Sequence, residues 1–432
     1  SRRAVVLGLL TVPLFVFALR LPHANAQTSV FADGLTNPAG IYVDDNGFLW
    51  VASLGTGADD AGVYVISPDG EVNPFITGLP STIVQGDPAG TNHVYFNNDR
   101  QLLIVQGQGA GEVSGSVLLV DTTGFAPGDD PLGPSDIDQV FNVSDFVTGE
   151  LGGESNPYAM TFLPNSPFSY ITDAAANAVV EGHGDELSIF ATFDDVPNTG
   201  SQGPPMVDAV PTGVDYDPTT ENLYVGTLTG FPFNEGAATI FEIDLDGNVT
   251  PLIEDLTTVV DIQVIPGGGG LVFLEHRFSP GAGRLYKWEN GELMEMAADL
   301  TRPAGLRVGL NGEVYVSVLD EGQILKIEGV VTSSGREIPE ADPALKVEAY
   351  PNPFSEKVML AVEGLDFDEA HVSIVDVLGR TVFTTGLRPS QSGADRVYWM
   401  ARSEGGTSLP PGPYLYRIDA GDRVAVGVVF KN

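Results

Sequence analysis

Short runs of alternating apolar and polar residues, separated by glycine, proline, asparagine and aspartate, recur along most of the chain. Between residues 34 and 79, two such runs flank Asn46-Gly47 and two more flank Asp69-Gly70. Asn-Gly and Asp-Gly between alternating runs are strong signals for β-hairpins. The segment therefore predicts four antiparallel strands.

The four-strand pattern returns five times, at residues 92–124, 156–180, 210–230, 259–277 and 302–329. Six copies of about 50 residues each are typical of a β-propeller. We predict an all-β chain with a six-bladed β-propeller over residues 27–329. The last copy has about three strands, and the spare strand at 28–33 is expected to complete it and close the ring.

The first 26 residues have the layout of a secretory signal peptide. Arg2 and Arg3 precede an apolar run, 4–19, and a small-x-small sequence ends at Ala26. The run is shorter than the roughly 20 residues that a spanning helix needs. We expect cleavage between Ala26 and Gln27, passage through the periplasm, and no transmembrane helix in the mature protein.

The last 88 residues, 345–432, alternate in the same way between proline and glycine turns. Strands are expected near 357–363, 371–377, 380–386, 396–401, 413–419 and 423–430, which predicts a small Ig-like β-sandwich. The polar segment 330–344, with two prolines, is the predicted linker.

Several motifs of this C-terminal segment resemble the C-terminal sorting domain of type IX secretion cargo in Bacteroidetes-like bacteria. The motif residues are Pro351, Asn352, Pro353, Phe354 and Lys431, joined by the Leu-Gly-Arg turn at 378–380. The resemblance implies recognition by the type IX secretion machinery and a secreted or cell-surface location. An ordinary Ig-like accessory module is the alternative interpretation.

Composition narrows the function further. Hydrophobic residues make up 43% of the chain and charged residues 18%, which indicates a globular protein. The absence of cysteine excludes disulfides and thiolate metal sites. A net charge of −38 excludes nucleic acid as a partner, because binding a polyanion needs a basic surface. We interpret the acidity as adaptation to a saline, halophilic setting, with an acidic extracellular protein that needs no salt as the alternative.

The predicted propeller also carries a family likeness. Gly-Glu-Ser-Asn-Pro-Tyr-Ala-Met at 153–160, the segment 171–180 and Leu-Thr-Gly-Phe-Pro-Phe at 228–233 resemble the ScyD/ScyE family of secreted β-propellers. The resemblance supplies no catalytic residues. Wider relatives in fold, the gluconolactonase-like and NHL-repeat propellers, include metal-dependent lactonases and binding scaffolds, and fold alone does not choose between them.

One column of the aligned repeats suggests a site near the propeller axis. Gly40, Ala159, Gly213 and Gly305 occupy it in four copies, and Asp261 occupies it in a fifth. With Asn156 and Asp208, which precede two other first strands, Asp261 is the candidate ligand set for a polar molecule or a divalent cation, calcium or magnesium. The alternative is that Asp261 caps backbone amides or holds channel water.

Aromatic residues suggest a second site. Phe231 and Phe233 lie in a loop rich in glycine and proline, where exposed aromatics often mark binding, although they could instead fill a seam between blades. His93, His183 and His276 are expected to be surface or loop residues without zinc.

The expected function is non-catalytic binding of a small polar ligand, a glycan or a protein, and catalysis is not expected. A metal-dependent, lactonase-like hydrolase using Asp261, Asn156 and Asp208 is the alternative. A purely structural envelope protein is a third possibility.

Overall fold

The computed structural model describes residues 26–44, 46–97, 101–164, 166, 168–184, 186–278, 283–331, 346–352, 354–355, 357–363, 370–375, 381–387, 395–402, 409–410, 412–420 and 423–431. The predicted signal peptide lies outside these residues apart from Ala26. Two compact units divide the chain, residues 1–332 and 333–432. Among the described residues, no helix is long and apolar enough to cross a membrane.

Six four-stranded antiparallel sheets form most of the described part of the first unit. We number the sheets 1 to 6 in chain order, and a separate strand, β1 (Gln27–Ala32), precedes them. Sheet 1 has β2 (Pro38–Val43), β3 (Leu49–Ser53), β4 (Ala61–Ile66) and β5 (Val72–Leu79). A small hairpin follows, β6 (Thr82–Val84) and β7 (Asp87–Ala89). Sheet 2 has β8 (Thr91–Phe96), β9 (Leu102–Gln106), β10 (Ser116–Val120) and β11 (Gln139–Asn142).

A 3-10 turn, Pro134–Asp136, precedes β11, and the helix α1 (Val143–Glu150) follows it. Sheet 3 has β12 (Pro157–Phe162), β13 (Phe168–Asp173), β14 (Ala178–His183) and β15 (Glu186–Thr192). The next hairpin is β16 (Val196–Pro197) with β17 (Met206–Val207). Sheet 4 has β18 (Pro211–Asp217), β19 (Asn222–Thr227), β20 (Ala238–Ile243) and β21 (Val249–Leu256).

Sheet 5 has β22 (Val259–Val264), β23 (Gly270–Glu275), β24 (Gly283–Glu289) and β25 (Glu292–Leu300). Sheet 6 has β26 (Pro303–Val308), β27 (Val314–Val318) and β28 (Gln323–Glu328), and its fourth strand is β1. Pairing of Gln27 with Glu328 and of Val30 with Leu325 fixes the register of β1. The N-terminal strand thus completes the last sheet, as the repeat pattern predicts.

The first strands of the six sheets form a closed ring. Each contacts the first strand of the next sheet, and β26 contacts β2 in turn. Apolar clusters lie between neighbouring sheets, for example where Trp50 of sheet 1 packs at 5.0 Å from Phe75 and 5.1 Å from Phe96 of sheet 2. This arrangement of twisted sheets around an axis is a β-propeller, so the all-β prediction is confirmed.

The second unit is a two-sheet β-sandwich. One sheet has β29 (Lys346–Tyr350), β30 (Val358–Glu363) and β33 (Asp395–Trp399). The other has β31 (Ala370–Val375), β32 (Thr381–Leu387), β34 (Gly412–Ala420) and β35 (Arg423–Lys431). The first strand, β29, is absent from the sequence prediction.

The sorting motif lies against the last strand of this sandwich. Phe354 is buried, packs 5.6 Å from Trp399, and donates its amide to the Phe430 carbonyl at 2.8 Å. The Asn352 side chain accepts the Phe430 amide at 2.8 Å. Lys431 forms a parallel bridge with Phe354, and Pro353 lies outside the described residues.

The predicted linker, 330–344, begins too early. Val330 and Val331 are buried in the apolar cluster between sheets 5 and 6, and the Val331 amide donates to the Gly312 carbonyl. Both residues therefore belong to the propeller core. Residues 332–344 of the predicted linker lie outside the described residues.

Candidate functional site

All six first strands share one local geometry. Each begins with a residue that pairs with the end of the second strand, and a bulge follows at once. The third and fifth residues of each first strand, counted from that pairing residue, lie near the axis of the ring and face the next sheet. The third positions are Gly40, His93, Ala159, Gly213, Asp261 and Gly305, and the fifth are Tyr42, Tyr95, Thr161, Asp215, Gln263 and Arg307.

The third residues of the six first strands pack tightly together around the axis of the ring. The strands approach so tightly that a Cβ on Gly40 would lie 2.3 Å from the His93 ring, which explains the glycine. His93 comes from sheet 2 and Asp261 from sheet 5, which are opposite each other in the ring. Their Nε2 and Oδ2 atoms are 4.0 Å apart, and both side chains are buried.

Backbone amides occupy both oxygens of Asp261. Oδ1 accepts the Ile262 amide at 2.9 Å, and Oδ2 accepts the Leu306 amide of the next sheet at 2.8 Å. Burial raises the pKa of Asp261 to about 7, against the opposing effect of these amides and of Arg307. The structure therefore matches the capping alternative for Asp261.

His93 is neutral beside this carboxyl. Burial, followed by the charge of Arg307, lowers the pKa of His93 to about 4. Its Nδ1 lies 2.9 Å from the Val94 carbonyl. Despite the short separation, His93 and Asp261 are therefore not an ion pair near neutral pH.

The fifth residues of the first strands form a second layer of side chains around the axis, next to the layer of third residues. The Arg307 guanidinium lies 4.9 Å from the centre of the Tyr42 ring and 5.7 Å from that of Tyr95, a cation–π geometry. Asp215 accepts the Val264 amide at 2.9 Å and the Thr161 hydroxyl at 3.1 Å. Burial raises the pKa of Asp215, while Arg307 opposes the rise.

We call His93, Asp261, Tyr42, Tyr95, Asp215 and Arg307 the axial plug. Its members come from five of the six sheets and join neighbouring or opposite sheets. The expected surface position of His93 is wrong, because His93 is only 6% exposed. Arg307 is not among the predicted site residues, because its partners Tyr42, Tyr95 and Asp215 lie more than 80 residues away along the chain.

The candidate metal ligands do not share a partner. Asp208 is exposed and accepts the Asn177 side-chain amide at 3.2 Å, while Asn156 accepts the Gln108 amide at 2.9 Å. Neither contacts the amides that hold Asp261. Within the described part of the chain, no three His, Asp or Glu side chains converge as metal ligands.

Aromatic side chains cluster on one face of the ring. We call it the top face, the side where the first strands begin and the second strands end. Phe231 and Phe233 follow β19, and Phe278 follows β23. The rings of Phe233 and Phe278 stack at 4.0 Å, and Phe231 lies 6.0 Å from Phe233 at 89°. Phe231 is 55% exposed and Phe278 46%, so this cluster is open to solvent rather than filling a seam.

A buried histidine lies beneath the aromatic cluster. The His276 ring lies 4.8 Å from the Phe278 ring, and its Nδ1 lies 2.8 Å from the Pro303 carbonyl. That contact places the proton on Nδ1, so Nε2 is an acceptor, and the structure gives it no hydrogen-bond partner. His276 is buried, which corrects its predicted surface position; His183 is exposed, as expected. Burial lowers the pKa of His276, so the ring is neutral.

Comparison with known proteins identifies the second unit. Residues 348–430 match the family described as the secretion system C-terminal sorting domain. This family marks proteins exported by type IX secretion, so the protein is exported to a secreted or cell-surface location and handled by that machinery. No curated protein matches the chain in sequence.

Solved structures resemble the first unit only distantly. A virginiamycin B lyase from Staphylococcus aureus is 15% identical, with 70% of this chain and 98% of that chain covered and a TM-score of 0.41. A gluconolactonase from Xanthomonas campestris is 13% identical, with 70% and 89% covered and a TM-score of 0.46. A protein of unknown function from Bacteroides thetaiotaomicron is 13% identical, with 70% and 75% covered and a TM-score of 0.48.

Proposed function

We propose that this protein, after type IX export, is a non-catalytic binding protein that recognises a glycan on the top face of its propeller. The observation that carries the proposal is the solvent-exposed cluster of Phe231, Phe233 and Phe278.

The chemistry of this cluster fits a sugar ring. Sugars present an apolar face, which packs on aromatic rings, and hydroxyl groups, which donate hydrogen bonds. An exposed aromatic cluster on a rigid scaffold supplies the first contact.

The axial plug argues for binding over hydrolysis. The carboxylates of Asp261 and Asp215 accept backbone amides of neighbouring sheets. A lactonase-type site needs three or four ligands that converge on one ion and leave a position for water. The plug instead uses its carboxylates to join sheets, so we place recognition in the loops of the top face.

Substitution of the exposed aromatics tests this proposal. The mature chain is applied to a glycan array, and the best-bound glycan is titrated by calorimetry with wild type and with the variant F231A/F278A. We expect binding to weaken about 10-fold or more, because the exposed anchors carry most of such binding energy. The melting temperature should change little, since both side chains are about half exposed.

Leu310→Ala is the matched control. Leu310 is 62% exposed and lies in the β26–β27 turn, at the face opposite the cluster. Its removal should leave glycan binding unchanged. Equal loss of binding in the Leu310 variant, or unchanged binding in F231A/F278A, would refute the assignment of the top face.

A further inference from the structure

Neighbouring sheets of the propeller are packed by a repeated residue on each second strand. In each sheet, the residue three positions before the last residue of the second strand points its side chain at the next sheet. The six residues are Trp50, Leu103, Tyr170, Tyr224, Val272 and Tyr315. Trp50, Tyr170, Tyr224 and Tyr315 each belong to the apolar cluster shared with the following sheet. Sheet 2 has the smaller Leu103 in this place.

The residue directly before each member of this series points its side chain at the previous sheet. It pairs across to the third strand, and in five sheets both partners are large and apolar. The five pairs are Leu49–Ile66, Leu102–Val120, Leu223–Ile243, Leu271–Trp288 and Val314–Ile327. Sheet 3 has Ser169 paired with Gly182 instead.

The smaller side chains of both series, Leu103 and the pair Ser169–Gly182, lie at the same interface, between sheets 2 and 3. Leu103 points there from sheet 2, and Ser169 and Gly182 point there from sheet 3. A cavity of about 250 Å³ lies between them and is lined by all three. The other small residue of the first series, Val272 of sheet 5, faces the full-sized pair Val314–Ile327, and Val330 and Val331 join that cluster.

The described residues of the cavity wall are mainly apolar. Leu119, Met160 and Ile171 are among the side chains that form it, and Asn97, Ser166 and Ser169 supply its polar groups. Among the described residues, no acidic or basic side chain lines it, in a chain with a net charge of −38. An adjoining groove shares Phe141 and Leu187 with the cavity.

We propose that this cavity binds a neutral, mainly apolar small molecule about the size of two fused rings, with one polar group. An apolar cavity of about 150 Å³ accepts benzene, so the larger volume here suits a second ring. The Ser169 hydroxyl favours a single hydroxyl or amide on the ligand. An ionised ligand is disfavoured because its charge would be desolvated without a partner.

Calorimetric titration of the mature chain with 2-naphthol tests this site, with 2-naphthoate as the charged comparison. We expect 2-naphthol to bind with one-to-one stoichiometry and 2-naphthoate to bind at least about 10-fold more weakly. Absence of 2-naphthol binding up to its solubility limit would overturn the proposal. Equal binding of both compounds would do so too, since it would indicate non-specific association.

Two variants fill the cavity from opposite sides. S169L/G182I installs the kind of pair found in the other sheets, and Leu103→Tyr installs the aromatic residue found in three of them. Gly182 requires the double change, because a Cβ there would lie 2.6 Å from the Ser169 hydroxyl oxygen. Each variant should weaken 2-naphthol binding about 10-fold or more while the circular dichroism spectrum stays that of wild type.

Leu223→Met is the matched control, at the corresponding pair of sheet 4. It should leave 2-naphthol binding unchanged. If either folded filling variant binds 2-naphthol as tightly as wild type does, the cavity is not the site. Because the two variants alter different sheets, misfolding of one leaves the other as the deciding test. The glycan experiment uses a different face of the propeller, so the two proposals can fail separately.

Discussion

At the scale of single residues, the titrations of Asp261 and His93 in the axial plug have opposite effects on how stability changes with pH. Asp261 has its pKa raised to about 7 in the folded protein, so the folded state holds this proton more tightly than the unfolded chain does. His93 has its pKa lowered to about 4, so the folded state holds that proton less tightly. Stability from Asp261 therefore falls as pH rises from about 4 to 7, and stability from His93 rises between about 4 and 6.5.

The variant Asp261→Asn separates these contributions. Without the carboxyl, the free energy of unfolding should rise with pH between about 4 and 6.5 more steeply than in wild type, because the His93 effect is no longer opposed. Asn also loses the acceptor for one backbone amide, so at pH 4 and below the variant should be less stable by about 1–3 kcal/mol, and this difference should shrink as the pH rises toward 7. Urea unfolding at a series of pH values measures both effects. Parallel curves for wild type and variant would show that Asp261 does not titrate in this range.

The sequence is informative about this residue but not about its surroundings. The repeat alignment places Asp261 in one column with Gly40, Gly213 and Gly305, and the strand registers agree. His93 occupies the same column in sheet 2, but its repeat is the degenerate one, so the match is hidden. Contacts across the axis join residues of opposite sheets, and nothing in the local pattern records such contacts.

At the scale of elements, turn chemistry explains most of what the sequence predicts. Hairpins at Gly47, Gly70 and Gly247 are visible because glycine accepts the positive φ that these turns require. The small hairpins β6–β7 and β16–β17, by contrast, lie in loops without a clear alternating pattern. The strand β29, which begins two residues after the predicted linker, is also missed, although its residues alternate between polar and apolar.

The strand β1 closes the ring of the propeller by completing sheet 6. The strand covers the edge of β28, and Phe31 packs 4.9 Å from Tyr315. Deletion of residues 27–32 should lower the free energy of unfolding by several kcal/mol, since one row of ladder hydrogen bonds and its apolar contacts are lost. Denaturant unfolding measures the loss.

A relocated strand provides the control for this deletion. Inserting the sequence of 27–33 after residue 331 through a flexible linker should restore most of the stability, because either chain end can supply the fourth strand. An undiminished free energy of unfolding after the deletion would contradict the closure by β1.

At the scale of the whole molecule, export and recognition belong to different units. The sorting family matches only the second unit, residues 348–430, and therefore says where the protein goes rather than what it binds. The first unit carries the top face, the axial plug and the cavity between sheets 2 and 3. Adaptation of the acidic surface to salt stays a prediction, since a net charge of −38 speaks to solubility and not to fold.

We propose that the axis of the propeller is held by a structural plug rather than by a metal centre. Its most direct test is the melting temperature of the mature chain in constant high salt, with EDTA and then with excess calcium, magnesium, zinc or manganese, for wild type and Asp261→Asn. An ion bound only by the folded state would raise the melting temperature by mass action. We predict no ion effect that differs between the two proteins. A chelator-induced loss of melting temperature that one cation restores in wild type, and that Asp261→Asn abolishes, would contradict the account and favour the metal-dependent hydrolase.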